Sequence, residues 1–395
     1  MHLSQVVCSK NNLFFVFLLV GYLFGVIFYD SLNLTYLDEL MALFLTLFAG
    51  IVAWERKSWK VLRPLGIVCA IFLFYTVYSL LIHSNKPQAI LTDLLIQLKP
   101  FLGFYCTLVI APRFSDRQKR FLSILCLLIG GLLLIIGLID PYHHFFGHPS
   151  RFATAAIATA SLFLYCNSLK WVDLACFVAI FSIGFFSTRA KFYGSWAVAV
   201  CLVTYIKLGG ILRLNWKTML VCGVVGVAAI VLAWEKIVLY YVDGMMNSRE
   251  MWSRPAMMLT SGRIFYDYFP LGSGLGSFGS YASAKYYSGI YADYGIDQLW
   301  GLSKQYPEFI CDAYYPGLAQ FGVVGAGLYA YFWILILRST HVLPVKQQLF
   351  VWLVCAFFLI EGVADATFTH NRGLFILILL ALCYNQKHEI EARNI

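Results

Sequence analysis

Two arginines are the residues best suited to chemistry here, because a guanidinium pairs bidentately with phosphate and stays charged at physiological pH. Arg189 stands in "FFSTRAKFYGSW", between two apolar runs, and Arg263 opens the stretch "RIFYDYFPLGSGLGSFGSY" after Ser261 and Gly262. Each has an ordinary alternative. Arg189 could be an interfacial residue that snorkels to water, as is expected of its neighbour Lys191, and Arg263 a solvated loop charge. The second stretch also holds a literal GxGxxG, Gly274 to Gly279. A dinucleotide or kinase loop needs a strand before it and a compact α/β unit around it. This one follows "IFYDYFP" between apolar runs, so the glycines are expected to form an ordered turn at the rim of a cavity.

Other ionisable groups lie within or beside apolar runs. Lys99, in "LLIQLKPFLGFY", stands about mid-run with Asp93 six residues earlier, and Pro100 is expected to kink that helix. Asp38 and Glu39 fall near the start of the second run and Glu361 near the end of the eleventh. A buried lysine–acid pair that locks helices and a substrate contact both fit these positions. His143, His144 and His148 in "PYHHFFGHPSR" suit an interfacial aromatic–histidine turn better than a metal cluster. His370 in "DATFTHNRG" could titrate or act as a base, with Arg372 two residues on. The sequence has no CxxC and no DxD, and nearly all of its 11 cysteines fall inside apolar runs, so no metal, cofactor or disulfide framework is expected.

The elements that must position these groups follow from composition. Of 395 residues, 61% are hydrophobic and 12% charged. A soluble domain carries roughly 25% charged residues. The chain is therefore expected to be an all-α, polytopic integral membrane protein. Twelve stretches are long and apolar enough, or nearly so, to cross a bilayer core of about 30 Å. They centre on 12–30, 36–54, 64–82, 89–111, 121–140, 152–168, 171–187, 193–207, 218–234, 316–337, 348–364 and 373–385. The first is expected to be a span and not a cleaved signal, since no small-residue cleavage site follows it.

Lysine and arginine set the orientation. With the N-terminus inside, the inner segments carry Lys10, Arg56, Lys57, Lys60, Arg63, Arg113, Arg117, Lys119, Arg120, Lys170, Lys207, Arg213, Lys217, Arg338, Lys346, Lys387 and Arg393. The short outer segments carry only Lys86, Arg151, Arg189, Lys191 and Arg372. Both termini are thus expected in the cytoplasm. The organisation is a membrane domain over 1–234, a large periplasmic loop over 235–315, and a second membrane segment with a short cytoplasmic tail over 316–395. The formal charge of +9 is scattered between the apolar runs, which reads as a topology signal and not as nucleic-acid binding. The loop's tyrosines suit a surface that stacks on sugars or rests at lipid headgroups.

The order of these features resembles the O-antigen polymerases and, more distantly, the O-antigen ligases. The resemblance is carried by "STRA" at 187–190, by the Arg263 stretch with its R-x10-G spacing to Gly274, and by "DAYYPGLAQFGVVGAGLYAY" from Asp312 to Tyr331. It covers most of the chain as architecture and these three segments as sequence. It implies inverting, metal-independent glycosyl transfer on the periplasmic face of the bacterial inner membrane. A glycan on undecaprenyl diphosphate would pass to the non-reducing sugar of another lipid-linked repeat unit. A chain-length regulator and a flippase of the same pathway are the implied partners.

The resemblance places Arg189 and Arg263 on the lipid diphosphate. It leaves Gly274, Gly276, Tyr314, Tyr315, Lys99 and Arg372 as further substrate contacts. The ligases carry a His–Asn pair ahead of a G-x-x-G, and aligning on Gly322 and Gly325 puts Cys311 and Asp312 there instead. The missing histidine argues against a ligase. Asp312 becomes the first choice of base and His370 the second, unless leaving-group stabilisation alone suffices. A flippase or transporter is the alternative from another class; such proteins build midplane sites from broken helices, of which Lys99–Pro100 is a hint.

Overall fold

The computed structural model describes residues 2–57, 59–213, 215–232, 234–246 and 251–393. The protein is helical throughout, and no strand occurs among the described residues. The principal helices are α1 (His2–Tyr22), α2 (Leu37–Arg56), α3 (Arg63–Leu81), α4 (Pro87–Ile110), α5 (Asp116–Ile139), α6 (Pro149–Cys166), α7 (Trp171–Ser182), α8 (Ala190–Lys207), α9 (Trp216–Leu232), α10 (Ser253–Asp267), α11 (Gly322–Ser339), α12 (Val345–Glu361) and α13 (Asn371–Arg393). Every apolar stretch expected to span coincides with one of them. Among the described residues, six helical segments are long and apolar enough to cross a membrane: Lys10–Ile27, Leu37–Arg56, Trp59–Leu81, Pro87–Ile110, Asp116–Ile139 and Tyr314–Val342.

Local signals account for the ends of these helices. Pro87 and Pro149 stand in the first turns of α4 and α6, where a missing N–H costs nothing. Ser115 and Gln118 form a reciprocal capping box that starts α5. Pro100 lies inside α4, which runs on to Ile110 as one helix.

The packing is that of a protein with apolar surroundings. On α2, Met41, Leu45, Phe48, Ala49 and Val52 face the interior, while Leu40, Leu43, Leu47, Ile51 and Trp54 form an exposed stripe. A helix apolar on both faces suits lipid outside and protein inside. The centre is formed by α4 and α13. Leu374 through Cys383 of α13 are buried throughout, and a Cβ on Gly103 of α4 would come within 2.4 Å of Leu374. That glycine is what lets the two helices approach so closely.

The long segment between α9 and α11 is a folded body. Ala256, Met257 and Ile264 of α10 pack with Phe278, Tyr291, Leu302 and Ile310 in a separate apolar core. Its glycine-rich stretch docks onto the α3–α4 corner. Ser84 Oγ donates to the Leu275 carbonyl (2.9 Å), and Asn85 Nδ2 to that of Gly276 (2.6 Å).

Candidate functional site

Polar groups from distant parts of the chain gather where α2, α6, α8 and α13 begin, with Lys99 from the middle of α4. Asp30, in the turn between α1 and α2, accepts from Arg151 of α6 at 2.9 Å and from Arg372 of α13 at 2.5 Å. Arg372 is buried and also lies over the ring of Phe146, 5.5 Å from its centroid. Buried guanidinium groups need such partners, since an uncompensated charge there costs several kcal/mol. On the α2 side, Lys99 of α4 pairs with Asp38 and, at 3.0 Å, with Glu39. Tyr29 donates its hydroxyl to Asp38 at 3.0 Å. Lys99 therefore reaches across to α2, while Asp93 accepts the Gly276 amide at 2.8 Å.

The third ion cluster joins α8 to α12 and the turn after it. Lys191 Nζ lies 2.7 Å from Glu361 and 2.7 Å from Asp365. The expectation that Lys191 snorkels to the interface is corrected: its side chain is 9% exposed and is held by two carboxylates. Two acids, one on α12 and one in the following turn, create a stronger attraction than the headgroup region would. Burial alone would raise the Asp365 pKa, but Lys191 and the nearby His370 outweigh it and hold the carboxyl at about 2.

Arg189 stands apart from these pairs. It caps α8, and its Nη2 lies 3.1 Å from His148 Nε2. It has no carboxylate partner among the described residues. His148 in turn caps α6, with its Nδ1 3.2 Å from the Ser150 amide. Surrounding protein lowers the His148 pKa by desolvation, and the charge of Arg189 lowers it further, against the opposing pull of Asp365. His370 is exposed to water, yet desolvation lowers its pKa too, with Asp365 opposing. The charges of Asp365 and Arg151 act on both imidazoles, so His148 and His370 belong to the same charged neighbourhood.

The remaining expected site residues are placed as follows. Arg263 is exposed on α10, and no hydrogen bond or ion pair joins it to Arg189 among the described residues. Asp312 accepts from Arg254 Nε at 2.6 Å, which ties the acid to α10. Desolvation pushes the thiol of its neighbour Cys311 up to about 11. Tyr314 is buried against Tyr329 and Phe368, and Tyr315 donates to the Leu359 carbonyl at 2.8 Å.

The glycine loop is buried. The Gly274 amide donates to the Gln320 carbonyl (2.9 Å), that of Leu275 to Ser79 (2.7 Å), and that of Gly276 to Asp93 (2.8 Å). Amides spent in this way fasten the folded body to α3 and α4 and are not left for a phosphate. Gly274 and Gly276 adopt φ of +86° and +69°, a region glycine enters without strain.

Sequence reasoning missed Asp30, His148 and Asp365. Only their neighbours in space distinguish them, although His148 before Pro149 carried a detectable cap signal. The three histidines of the "PYHHFFGHPSR" turn go separate ways. His143 is buried with Nε2 3.0 Å from the Phe186 carbonyl, His144 is exposed, and His148 meets Arg189. Among the described residues no group of three or more His, Cys, Asp and Glu is arranged to hold a metal ion. No protein-family model matches the chain, and a search of curated proteins gives no match.

Proposed function

We propose that the protein polymerises lipid-linked oligosaccharide repeat units by inverting glycosyl transfer on the outer face of the bacterial inner membrane. In this reading the chain crosses the membrane twelve times with both termini in the cytoplasm, and residues 235–315 lie in the periplasm. One observation carries the proposal: Arg189 meets His148 and has no carboxylate partner among the described residues, while Lys99, Arg151, Lys191 and Arg372 are each matched by an acid. An unmatched guanidinium at the edge of an apolar bundle suits an anionic ligand that arrives from the membrane.

The chemistry is a single displacement. A hydroxyl oxygen on the non-reducing sugar of one lipid-linked unit attacks the anomeric carbon of the glycan carried by another. The bond from that carbon to the diphosphate oxygen breaks, and the lipid diphosphate leaves with the electron pair. Arg189 takes up the charge that develops on it, which is electrostatic stabilisation of the leaving group. The hydroxyl proton passes to His370, whose neutral imidazole is open to water and can accept it. The glycine loop holds the outer body over α4, and Arg263, exposed on α10, supplies a second cation to the incoming substrate.

A strain lacking the gene, complemented with variants, tests this through its surface-glycan ladder. Loss of long chains with retention of single capped units supports polymerisation. Loss of even the single units would point to a ligase. Accumulation of lipid-linked units on the cytoplasmic side would point to a transporter.

A further inference from the structure

An imidazole ring offers at most one acceptor nitrogen, and His148 is asked for two. The Ser150 amide points at Nδ1 from 3.2 Å, and the Arg189 guanidinium faces Nε2 at 3.1 Å. If Nδ1 accepts the amide, Nε2 carries the proton and opposes an arginine N–H. If Nε2 accepts from arginine, the cap of α6 is lost. A doubly protonated ring conflicts with both. No protonation state satisfies the contact, so this pair has a donor in excess.

We propose that His148 and Arg189 form a two-donor site for a phosphate-type oxyanion, which accepts from Nε2–H of one and the guanidinium of the other. Three further observations agree. His148 is exposed and Arg189 half-buried, so a ligand can reach both. The N-termini of α6 and α8, each 18 residues long, end at these two side chains, and their dipoles favour negative charge. The charged groups facing His148 are Arg189, Arg151 and Lys191, against Asp365. The proposal deepens the polymerase reading by adding His148 to the residues that would hold the lipid diphosphate, but its test does not depend on polymerisation.

The test measures inorganic pyrophosphate binding by calorimetry, using the full-length protein in phosphatidylcholine nanodiscs. His148→Asn is the decisive variant, because asparagine is a favoured N-cap and keeps α6 started while removing the Nε2 donor. Loss of one charge-assisted donor should weaken binding about tenfold or more, with the melting temperature unchanged. Arg189→Ala should weaken it at least as much, and Lys304→Ala should not change it. Equal affinity in wild type and His148→Asn, or no pyrophosphate binding by wild type, would overturn the site.

Nanodiscs doped with phosphatidylglycerol or with a polyprenyl diphosphate separate the sources of the anion. Displacement of pyrophosphate by the diphosphate lipid alone assigns the site to donor substrate, and displacement by phosphatidylglycerol assigns it to a phospholipid headgroup. Wild type that binds pyrophosphate in this way but builds no polymer would keep the site and retire the polymerase reading.

Discussion

Lys191 and Glu361, 170 positions apart in sequence, meet at 2.7 Å where α8 begins and α12 ends. Both side chains are nearly withdrawn from solvent, and Asp365 closes the cluster from the following turn. The arrangement ties α8 to α12 near His148, on which the charges of Lys191 and Asp365 both act. Removing one member of a buried pair strands the other. Lys191→Ala should therefore cost about 3–5 kcal/mol, whereas a Lys191→Met, Glu361→Leu double variant should recover much of it. Thermal unfolding of the detergent-solubilised proteins distinguishes the two.

Arg189 is expected to matter for function more than for folding. Arg189→Ala should insert and accumulate like wild type yet abolish long-chain polymer. Arg189→Lys should restore little, because a point charge does not reproduce the planar fork. A normal ladder from Arg189→Ala would remove it from the mechanism.

The proton acceptor can be examined through pH. The His370 pKa lies below its ordinary value because desolvation by the surrounding protein disfavours the imidazolium. A neutral base is competent above its folded-state pKa, so the rate should be flat near neutrality and fall on an acid limb below about 6.5. Stability moves the same way. The unfolded chain binds the proton more readily, so folding weakens as pH drops below that value and levels off beneath the folded pKa. Asp365 opposes the lowering, so Asp365→Asn should shift the acid limb further down. His370→Ala with full activity would exclude it as the base.

Gly276 joins the folded body that contains α10 to α4 through its backbone. Its φ is +69°, and an added Cβ would lie 3.0 Å from the Ala89 carbonyl carbon of α4. Gly276→Ala should cost about 1–3 kcal/mol from the left-handed backbone alone. Limited proteolysis should show faster cleavage within residues 253–312, with the membrane helices intact.

Much of the architecture was legible in the residues. Long apolar runs must close their own backbone hydrogen bonds in lipid, and a helix is the local solution, so the run boundaries nearly marked the helices. Prolines at the starts of α4 and α6 and the Ser115–Gln118 box did the same for individual ends.

Partnership was not legible, because it depends on which helix ends pack together. Asp30 and Arg372 are 342 positions apart, yet they are bonded at 2.5 Å. Lys99 had an acid six residues away in its own helix and still pairs with Asp38 and Glu39 of another. Lys191 looked like an interfacial cation until α12 and its turn brought two carboxylates to it. Local composition sets helix and polarity because those are decided by the solvent and the residue's own backbone. Which charges are cancelled by an acid is decided only when distant helices meet.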